Sequence, residues 1–561
     1  MLKRNFIVWS AAAMLLLTSC SKLGALSADN FNVTPNPLET QAGQVPATIN
    51  GMFPEKYMKK KAVVTVIPEL RYTLNGKEVR QQGATATFQG EKVEGNDQTI
   101  SYLVGGRYTM KTNFKYEGVK TADMYLTFDA RIGNKAVKVP EVKVAYGILA
   151  TSELYKTTLK NAQAAIAPDA FKRIQEQKQE ANIKFLIQQA NLRKSELKNN
   201  SVQEFVKLLE RINQDREGLN LSSVEVSAYA SPDGGLSLND RLASQRQAET
   251  EKYVRQTLKQ TNNASAPIDA KYTAQDWEGF QELVQASNIQ DKDVILRVLS
   301  MYKDPEEREQ QIKNISVAFR ELADGILPQL RRSRMTINYE VVGRDDNQIQ
   351  NQMAVDPSQL SVEEMLYCAS LNNTSDRQEQ IYKTTTQIYP SDPRAYNNLA
   401  TLEYAKGNLA AAKQYIQQAL NLNPSLPEAN ANLGLIALQN GDLQAAENYI
   451  AKATDANGLA EVLGNLHLAQ GNYAQAEQDF SKVYSNSAAL AQILNKNYAS
   501  AAVTLKYVKV PNATTEYLKA VLYARMGNKN DAAEALRAAI AKDPAYAKYA
   551  ADDLELSKIQ K

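Results

Sequence analysis

The chain has 561 residues, 43% of them hydrophobic and 23% charged, with a mean hydropathy of −0.44; that is ordinary globular usage, enough for about three to five domains, and it excludes wholesale disorder and a multi-span membrane protein. Lys and Arg number 65 against 62 Asp and Glu, and a formal charge of +3 provides no basic surplus for a nucleic-acid binder. A single histidine, His467, and two cysteines, Cys20 and Cys368, build no His/Cys metal cluster and no Ser-His-Asp or Cys-His site unless His467 is its base, so a binding or structural protein is expected, not an enzyme, with no metal and no cofactor.

Residues 1–20 read MLKRNFIVWSAAAMLLLTSC. Lys3 and Arg4 precede an apolar run from Phe6 to Leu17. That run is too short for a bilayer, which needs about 20 residues, but it suits the core of a signal peptide. Leu17-Thr18-Ser19-Cys20 then resembles a bacterial lipoprotein lipobox. The resemblance implies cleavage before Cys20 and acylation of Cys20, and several acyl chains anchor a protein stably. Ser21 follows where an aspartate would imply inner-membrane retention, so the expected place is the outer membrane, facing the periplasm. With Cys20 acylated, Cys368 has no intramolecular disulfide partner. It reads as a buried small hydrophobe within the helical pattern VEEMLYCASL.

Residues 20–50 are polar and rich in Pro, Asn and Ala, and read as a tether. Between 51 and 150 the pattern is that of strands. Tyr108, Met110, Thr112, Phe114 and Tyr116 alternate with more polar residues, and Gly133-Asn134 marks a hairpin. Strands at this spacing predict a β-sandwich without a catalytic constellation. Residues 151–180, rich in Ala, Gln and Lys, read as a helical linker.

From 181 the elements alternate. Ile183, Phe185 and Ile187 predict a buried strand. Val202, Phe205, Val206, Leu208 and Leu209 predict a helix capped by Ser201. LSSVEVSAYA is a second strand, LSLNDRLASQRQAETEKYVRQTL a second helix, and RRSRMTINYEVVG a later strand. Between the last two, residues 274–330 form a charged helical insertion, with Trp277, Phe280 and Leu283 on one face. An α+β sandwich with helices on one face of a sheet follows. Phe185, Ile187 and Leu192 at its opening, AYASPDG at 228–234, and Asn239, Leu242, Ala243, Arg246 and Ala248 on the second helix resemble the OmpA-like domain that binds peptidoglycan. The ASPDG form with a helical insertion is similar to a variant in lipoproteins of Bacteroides-type bacteria. The resemblance covers 181–345. It implies that Arg246 forks onto the carboxylate of diaminopimelate, which suits a planar guanidinium. Ser231 stands at the position of the family's ammonium-pairing aspartate, and Asp233, two residues on, is the candidate substitute beside Asn239.

From 360 to 561 the repeat period carries the signal. Leu399-Ala400 recurs as Leu433-Gly434, 34 residues later, and Gly407, Ala412, Ile416 and Ala419 shift with it to Gly441, Ala446, Ile450 and Ala453. A third unit has Gly464, Gly471, Ala476, Phe480 and Val483; a degenerate fourth spans about 488–508; a fifth has Ala520, Gly527, Ala532, Leu536, Ala539 and Pro544. This resembles a tetratricopeptide (TPR) array, a solenoid of stacked helical hairpins sharing one core. The resemblance implies a concave groove lined by the first helix of each hairpin, with Arg394, Asn397, Thr401 and Tyr404 facing it. His467, without a second histidine or nearby cysteine, reads as structural.

The expected molecule is thus multidomain: an N-terminal β-sandwich, an α+β OmpA-like domain with a helical insertion, and a C-terminal α-helical TPR solenoid. Its expected partners are the membrane through the lipid, peptidoglycan through the OmpA-like domain, and envelope proteins through the TPR groove. The alternative is an adaptor lipoprotein of a secretion or surface-structure machine, whose OmpA-like domain binds protein instead of peptidoglycan.

Overall fold

Apolar residues at every second position build the N-terminal region into strands. The computed structural model describes residues 22–289, 292–314, 320–557 and 559; Cys20 and the signal-peptide reading lie outside them. The chain divides into two units, one formed by the chain up to Asp169 together with Asn372–Lys561, the other by Ala170–Leu371. In the first unit, β1 (Phe31–Thr34), β3 (Gln44–Phe53) and β8 (Gly106–Lys115) form an antiparallel three-stranded sheet. The strand β2 (Leu38–Glu39) lies between β1 and β3 in sequence and pairs in parallel with β12 (Ile148–Leu149). A seven-stranded sheet joins β4 (Ala62–Leu74), β5 (Lys77–Gln82), β6 (Ala86–Gly90), β7 (Gln98–Ile100), β9 (Ala122–Ile132), β10 (Lys135–Val137) and β11 (Val142–Tyr146); it is centred on β4 and β9, paired from Ala62↔Ile132 to Tyr72↔Ala122. Val45, Ile49, Met110 and Phe114 of the first sheet and Val64, Val66, Met124 and Leu126 of the second share one core. The expected hairpin turns at Gly133, whose φ of 58° needs no side chain.

Two expectations for this region are corrected. The stretch read as a tether carries β1, β2 and the start of β3; Phe31, Val33, Leu38, Val45, Ala47 and Ile49 are all buried there, and intervening Asn, Pro and Thr mask the alternation. The linker read as helical holds one short turn of 3-10 helix, Thr151–Leu154, and the helix α1 (Tyr155–Leu159). Its residues 162–172 carry no helix or strand, and Ile174–Lys184 is a strand.

The second unit is an α+β sheet. Its strands β13 (Ile174–Lys184), β14 (Leu219–Tyr229), β15 (Ile268–Thr273) and β16 (Arg332–Val342) stand in the order β13-β16-β14-β15, antiparallel except for β14 with β15. The helix α2 (Asn200–Gln214) buries Val202, Phe205, Leu208, Leu209 and Ile212. Its cap is Asn199, whose side chain accepts the N–H of Val202, and not Ser201, which lies inside the helix and donates to Asn199. The helix α3 (Leu236–Gln260) buries Leu242, Arg246, Thr250, Val254 and Leu258 at helical spacing. The strand β13 ends at Lys184, so Ile183 and Phe185 are buried while Ile187 is exposed. The insertion has its own core of Phe280, Val284, Ile295, Leu299, Leu322 and Leu330. Cys368 is buried in a helix, Val362–Ser370, that belongs to this unit and not to the repeats.

The first unit resumes at Asn372 with paired helices. The helices α4 (Pro393–Ala405) and α5 (Leu409–Leu422), α6 (Pro427–Gln439) and α7 (Leu443–Ile450), and α8 (Leu459–Ala469) and α9 (Tyr473–Asp479) are successive hairpins. Two more follow, α10 (Asn486–Leu494) with α11 (Tyr498–Tyr507) and α12 (Ala513–Arg525) with α13 (Lys529–Lys542). A Cβ on Gly434 would sit 2.7 Å from Ile450, and one on Gly464 2.5 Å from the Phe480 ring, so these glycines let the paired helices close. Within the same unit the sandwich is tied to the repeats. Lys120 donates to the carbonyl of Tyr549 at 2.9 Å and lies 3.5 Å from its ring centre, and Thr151 donates to Glu555 at 2.6 Å.

Candidate functional site

The first helices of the repeats carry buried polar residues where a free groove would have wet ones. Asn397, Asn398, Asn432 and Asn465 are each at most 2% exposed. A buried side-chain amide must find partners: Asn465 finds them on Glu461 of its own helix, and Asn397, Asn398 and Asn432 find them on the chain's own residues 165–167. Asn432 Oδ1 accepts the N–H of Ala165 at 2.6 Å while its Nδ2 donates to the Ala165 carbonyl at 2.9 Å. Asn398 does the same to Ala167, at 2.8 and 3.0 Å. Asn397 donates to the Ala165 carbonyl at 3.0 Å and accepts from Asn432 at 3.0 Å, which locks the two amides in register. Two turns on from Asn397, Tyr404 donates to the Leu159 carbonyl at 3.2 Å and accepts from Gln439 at 2.6 Å. Burial raises the Tyr404 hydroxyl well above the ordinary tyrosine range, so it stays a donor.

Farther along, Glu461 accepts the backbone N–H of Gln163. Burial pushes its carboxyl up to about 7, against the hydrogen bonds from Ser485, Asn465 and Gln163, which favour the charged form. Asn457 donates to the Ile166 carbonyl at 3.2 Å. Arg394 is paired with Asp392 at 2.7 Å and reaches the Pro168 carbonyl at 3.4 Å. Of the residues expected to face the groove, Arg394, Asn397 and Tyr404 therefore meet the chain's own backbone. The Thr401 hydroxyl is turned back onto the carbonyl of Asn398, at 2.8 Å. The sequence reading passed over Asn398 and Asn432, although they stand 34 residues apart at equivalent repeat positions.

A tetratricopeptide repeat family model matches residues 397–461 and, overlapping them, 432–491. The C-terminal region contains tetratricopeptide repeats. Such arrays are protein-interaction scaffolds built around an extended concave surface. Solved structures similar to the chain include a tetratricopeptide repeat protein from Parabacteroides merdae, 16% identical over 47% of this chain and 94% of that one, with a TM-score of 0.25. PilF of Pseudomonas aeruginosa is 15% identical over 37% of this chain and 100% of its own, with a TM-score of 0.27. PilW, described as a type IV pilus biogenesis factor, is 18% identical over 38% of this chain and 100% of its own, with a TM-score of 0.26. No curated protein matches the chain.

Outside the tetratricopeptide groove, the residues singled out in the α+β unit gather around a small cavity of about 50 Å³. Asn239 Nδ2 donates to the carbonyls of Ser231 and Gly234 at 2.9 and 2.7 Å, which pins the turn onto α3. Arg246 is 1% exposed; it donates to the carbonyls of Gln189 and Tyr229 at 3.0 and 2.9 Å and lies 5.0 Å from the Phe185 ring centre. Burial, and then the charge of Arg331, push its guanidinium down to about 10, so it stays protonated at neutral pH. Asp233 is paired with Arg331 at 3.0 Å and accepts from the Ser231 hydroxyl. Arg331 also donates to Ser231 at 3.2 Å. Two guanidinium groups thus face one carboxylate, and the cluster is net positive. It presents an anion-seeking pocket, and Asp233 is already neutralised as a partner for an ammonium. Arg331, some hundred residues from the turn, carried no sign of this in sequence.

Among the described residues no group of three or more His, Cys, Asp or Glu is placed to hold a metal, and no helix is long and apolar enough to cross a membrane. His467 meets Asp479 at 2.5 Å within its own hairpin.

Proposed function

We propose that the chain is a non-enzymatic scaffold of a bacterial cell envelope. A lipid on Cys20 holds it at the outer membrane, facing the periplasm. The OmpA-like unit contacts peptidoglycan, and the tetratricopeptide array organises protein segments. The reading is carried by the groove, where side-chain amides hold an extended backbone by both its N–H and its carbonyl groups. That is peptide-binding chemistry, of the kind that reads main chain for affinity and small pockets for specificity. The net positive pocket around Arg246 and Arg331 suits a carboxylate, such as those on peptidoglycan stem peptides.

The test is made on the full chain in an envelope-bearing bacterial host. Wild type is expected to incorporate labelled palmitate and to fractionate with the outer membrane, and Cys20→Ala to do neither. With purified murein sacculi, the wild type is expected to co-sediment and Arg331→Ala to be released. An unlipidated wild-type chain in the soluble fraction would overturn the anchoring. Retention on sacculi that is absent, or indifferent to Arg331→Ala, would overturn the wall contact.

The pairing of Asp233 with Arg331 favours a second reading. With its carboxylate neutralised, the pocket lacks the anion that would hold an ammonium, and the OmpA-like unit then serves as a protein-binding module of an adaptor for a secretion or surface-structure machine. In-cell cross-linking that recovers envelope proteins from this unit and no murein would favour it over the first.

A further inference from the structure

The tetratricopeptide groove is occupied by a segment with little hold of its own. Among the buried residues of 162–168 the side chains are alanines: Ala162, Ala165 and Ala167, at 6, 2 and 1% exposed. Ile166, between the two clamped alanines, is 49% exposed. The seat is therefore made of backbone hydrogen bonds, to Asn398, Asn432 and Asn397 at the two buried alanines and to Glu461, Asn457 and Arg394 at Gln163, Ile166 and Pro168, with methyl groups filling the floor. The apolar anchors lie before it, where Leu154 and Leu159 pack into the repeat cores. Covalent attachment then supplies the occupancy, because a short tether holds a segment at an effective concentration on the order of millimolar.

We propose that residues 162–168 are a resident ligand of the groove, and that an outside protein segment with the same extended, small-residue pattern enters only by displacing them. This rests on reading the array as a protein-binding module, and on neither the anchor nor the wall contact. The partner's chemistry follows from the clamp. Alternate residues of an extended chain face the same way, so the groove needs N–H and carbonyl groups free at two positions separated by one residue. Both positions must be small. Ala165 and Ala167 are 2 and 1% exposed, so a longer side chain at either would have to displace the groove wall. The residue between is unrestricted, as the exposure of Ile166 shows. Displacement would free the backbone that leads into Ala170.

The experiment uses the full chain and a fluorescently labelled synthetic peptide with the sequence of residues 160–170. Its binding is measured by anisotropy to the wild type and to a variant in which 162–168 are replaced by a Gly/Ser stretch of equal length. Binding tighter to the variant by about tenfold or more is expected, since the resident taxes the apparent affinity of any competitor. Equal binding to both would overturn the proposal while leaving the array a protein-binding module, and binding to neither would overturn both. Should the replaced variant fail to fold, hydrogen exchange on the wild type decides. The Ala165 and Ala167 amides are expected to be protected alone and to lose that protection at millimolar unlabelled peptide. Protection that persists would overturn displacement.

Discussion

An asparagine side chain is an amide, and it offers an extended backbone the same donor and acceptor that a neighbouring strand would. Asn398 and Asn432 use this equivalence twice, on residues two apart, and each pair of bonds removes an otherwise unsatisfied buried amide. Glu461 is the groove residue that pays for burial with its charge. Its carboxyl is raised to about 7 in the folded protein, from 4.5. The folded state therefore binds this proton more tightly than the unfolded state. The group's contribution to stability is complete below about pH 4.5 and is lost as pH rises through 7. A gap of that size corresponds to roughly 3 kcal/mol. Denaturant midpoints at pH 5.5 and pH 8 are expected to show the wild type weaker at the higher pH. Glu461→Gln, which keeps the shape and removes the titration, should lose most of that difference. An equal difference in both proteins would mean that the slope arises elsewhere.

At the scale of elements, the turn inside each hairpin decides how plainly a repeat shows in the sequence. Gly407, Gly441, Gly471 and Gly527 close their hairpins with φ between 74° and 80°. In the hairpin α10–α11 the same place is taken by Lys496, with a φ of 64°. A residue with a Cβ pays about 1–2 kcal/mol there, so Lys496→Gly is expected to stabilise the chain by about 1 kcal/mol once the greater freedom of glycine in the unfolded chain is deducted. Gly407→Ala should cost a similar amount. Thermal melts of the two variants check both signs, and a destabilised Lys496→Gly would show that its side chain contributes more than its backbone costs. The missing glycine is also why that repeat reads as degenerate while its neighbours are legible by period alone. Other elements were hidden for different reasons. The alternation of Phe31 with Val33, and of Val45 with Ala47 and Ile49, is real but short, and Pro and Asn interrupt it. The segment after Leu159 has helix-favouring composition, yet it lies without helix in the groove, because Asn397, Asn398 and Asn432 satisfy its backbone from outside. Tertiary partners here override local propensity. In the α+β unit, the strand–turn–helix order and the places of Asn239 and Arg246 were readable; the pairing of Asp233 with Arg331 joins residues far apart in sequence and could not be read from a local pattern.

For the whole molecule, the consequence is where the chain can be cut. The resemblance marks the middle domain as 181–345, whereas the second unit runs from Ala170 to Leu371. The difference falls on β13. Its first residues pair with β16 from Ile174↔Val342 to Glu180↔Thr336. A fragment beginning at 181 leaves that side of β16 with open N–H and carbonyl groups, on a strand that is otherwise interior to the sheet. It also discards the closure of the unit's two ends. There the Phe171 and Tyr367 rings stack at 4.6 Å, Arg173 pairs with Asp346, and the Ala170 N–H donates to Glu363 at 2.6 Å. Buried Ile349, Met353, Met365 and Leu366 are lost with it. For a fragment of this size, each 1 kcal/mol shifts the melting midpoint by about 2–4 °C, and several core side chains are worth several such steps. The fragment 170–371 is therefore expected to unfold in one cooperative transition as a monomer. The fragment 181–345 should melt about 10 °C lower or more, or associate through its uncovered strand. Thermal denaturation with size-exclusion chromatography on the two fragments decides it. Equal midpoints and equal monodispersity would show that the strands beyond 181 and the end-to-end closure are dispensable to the unit.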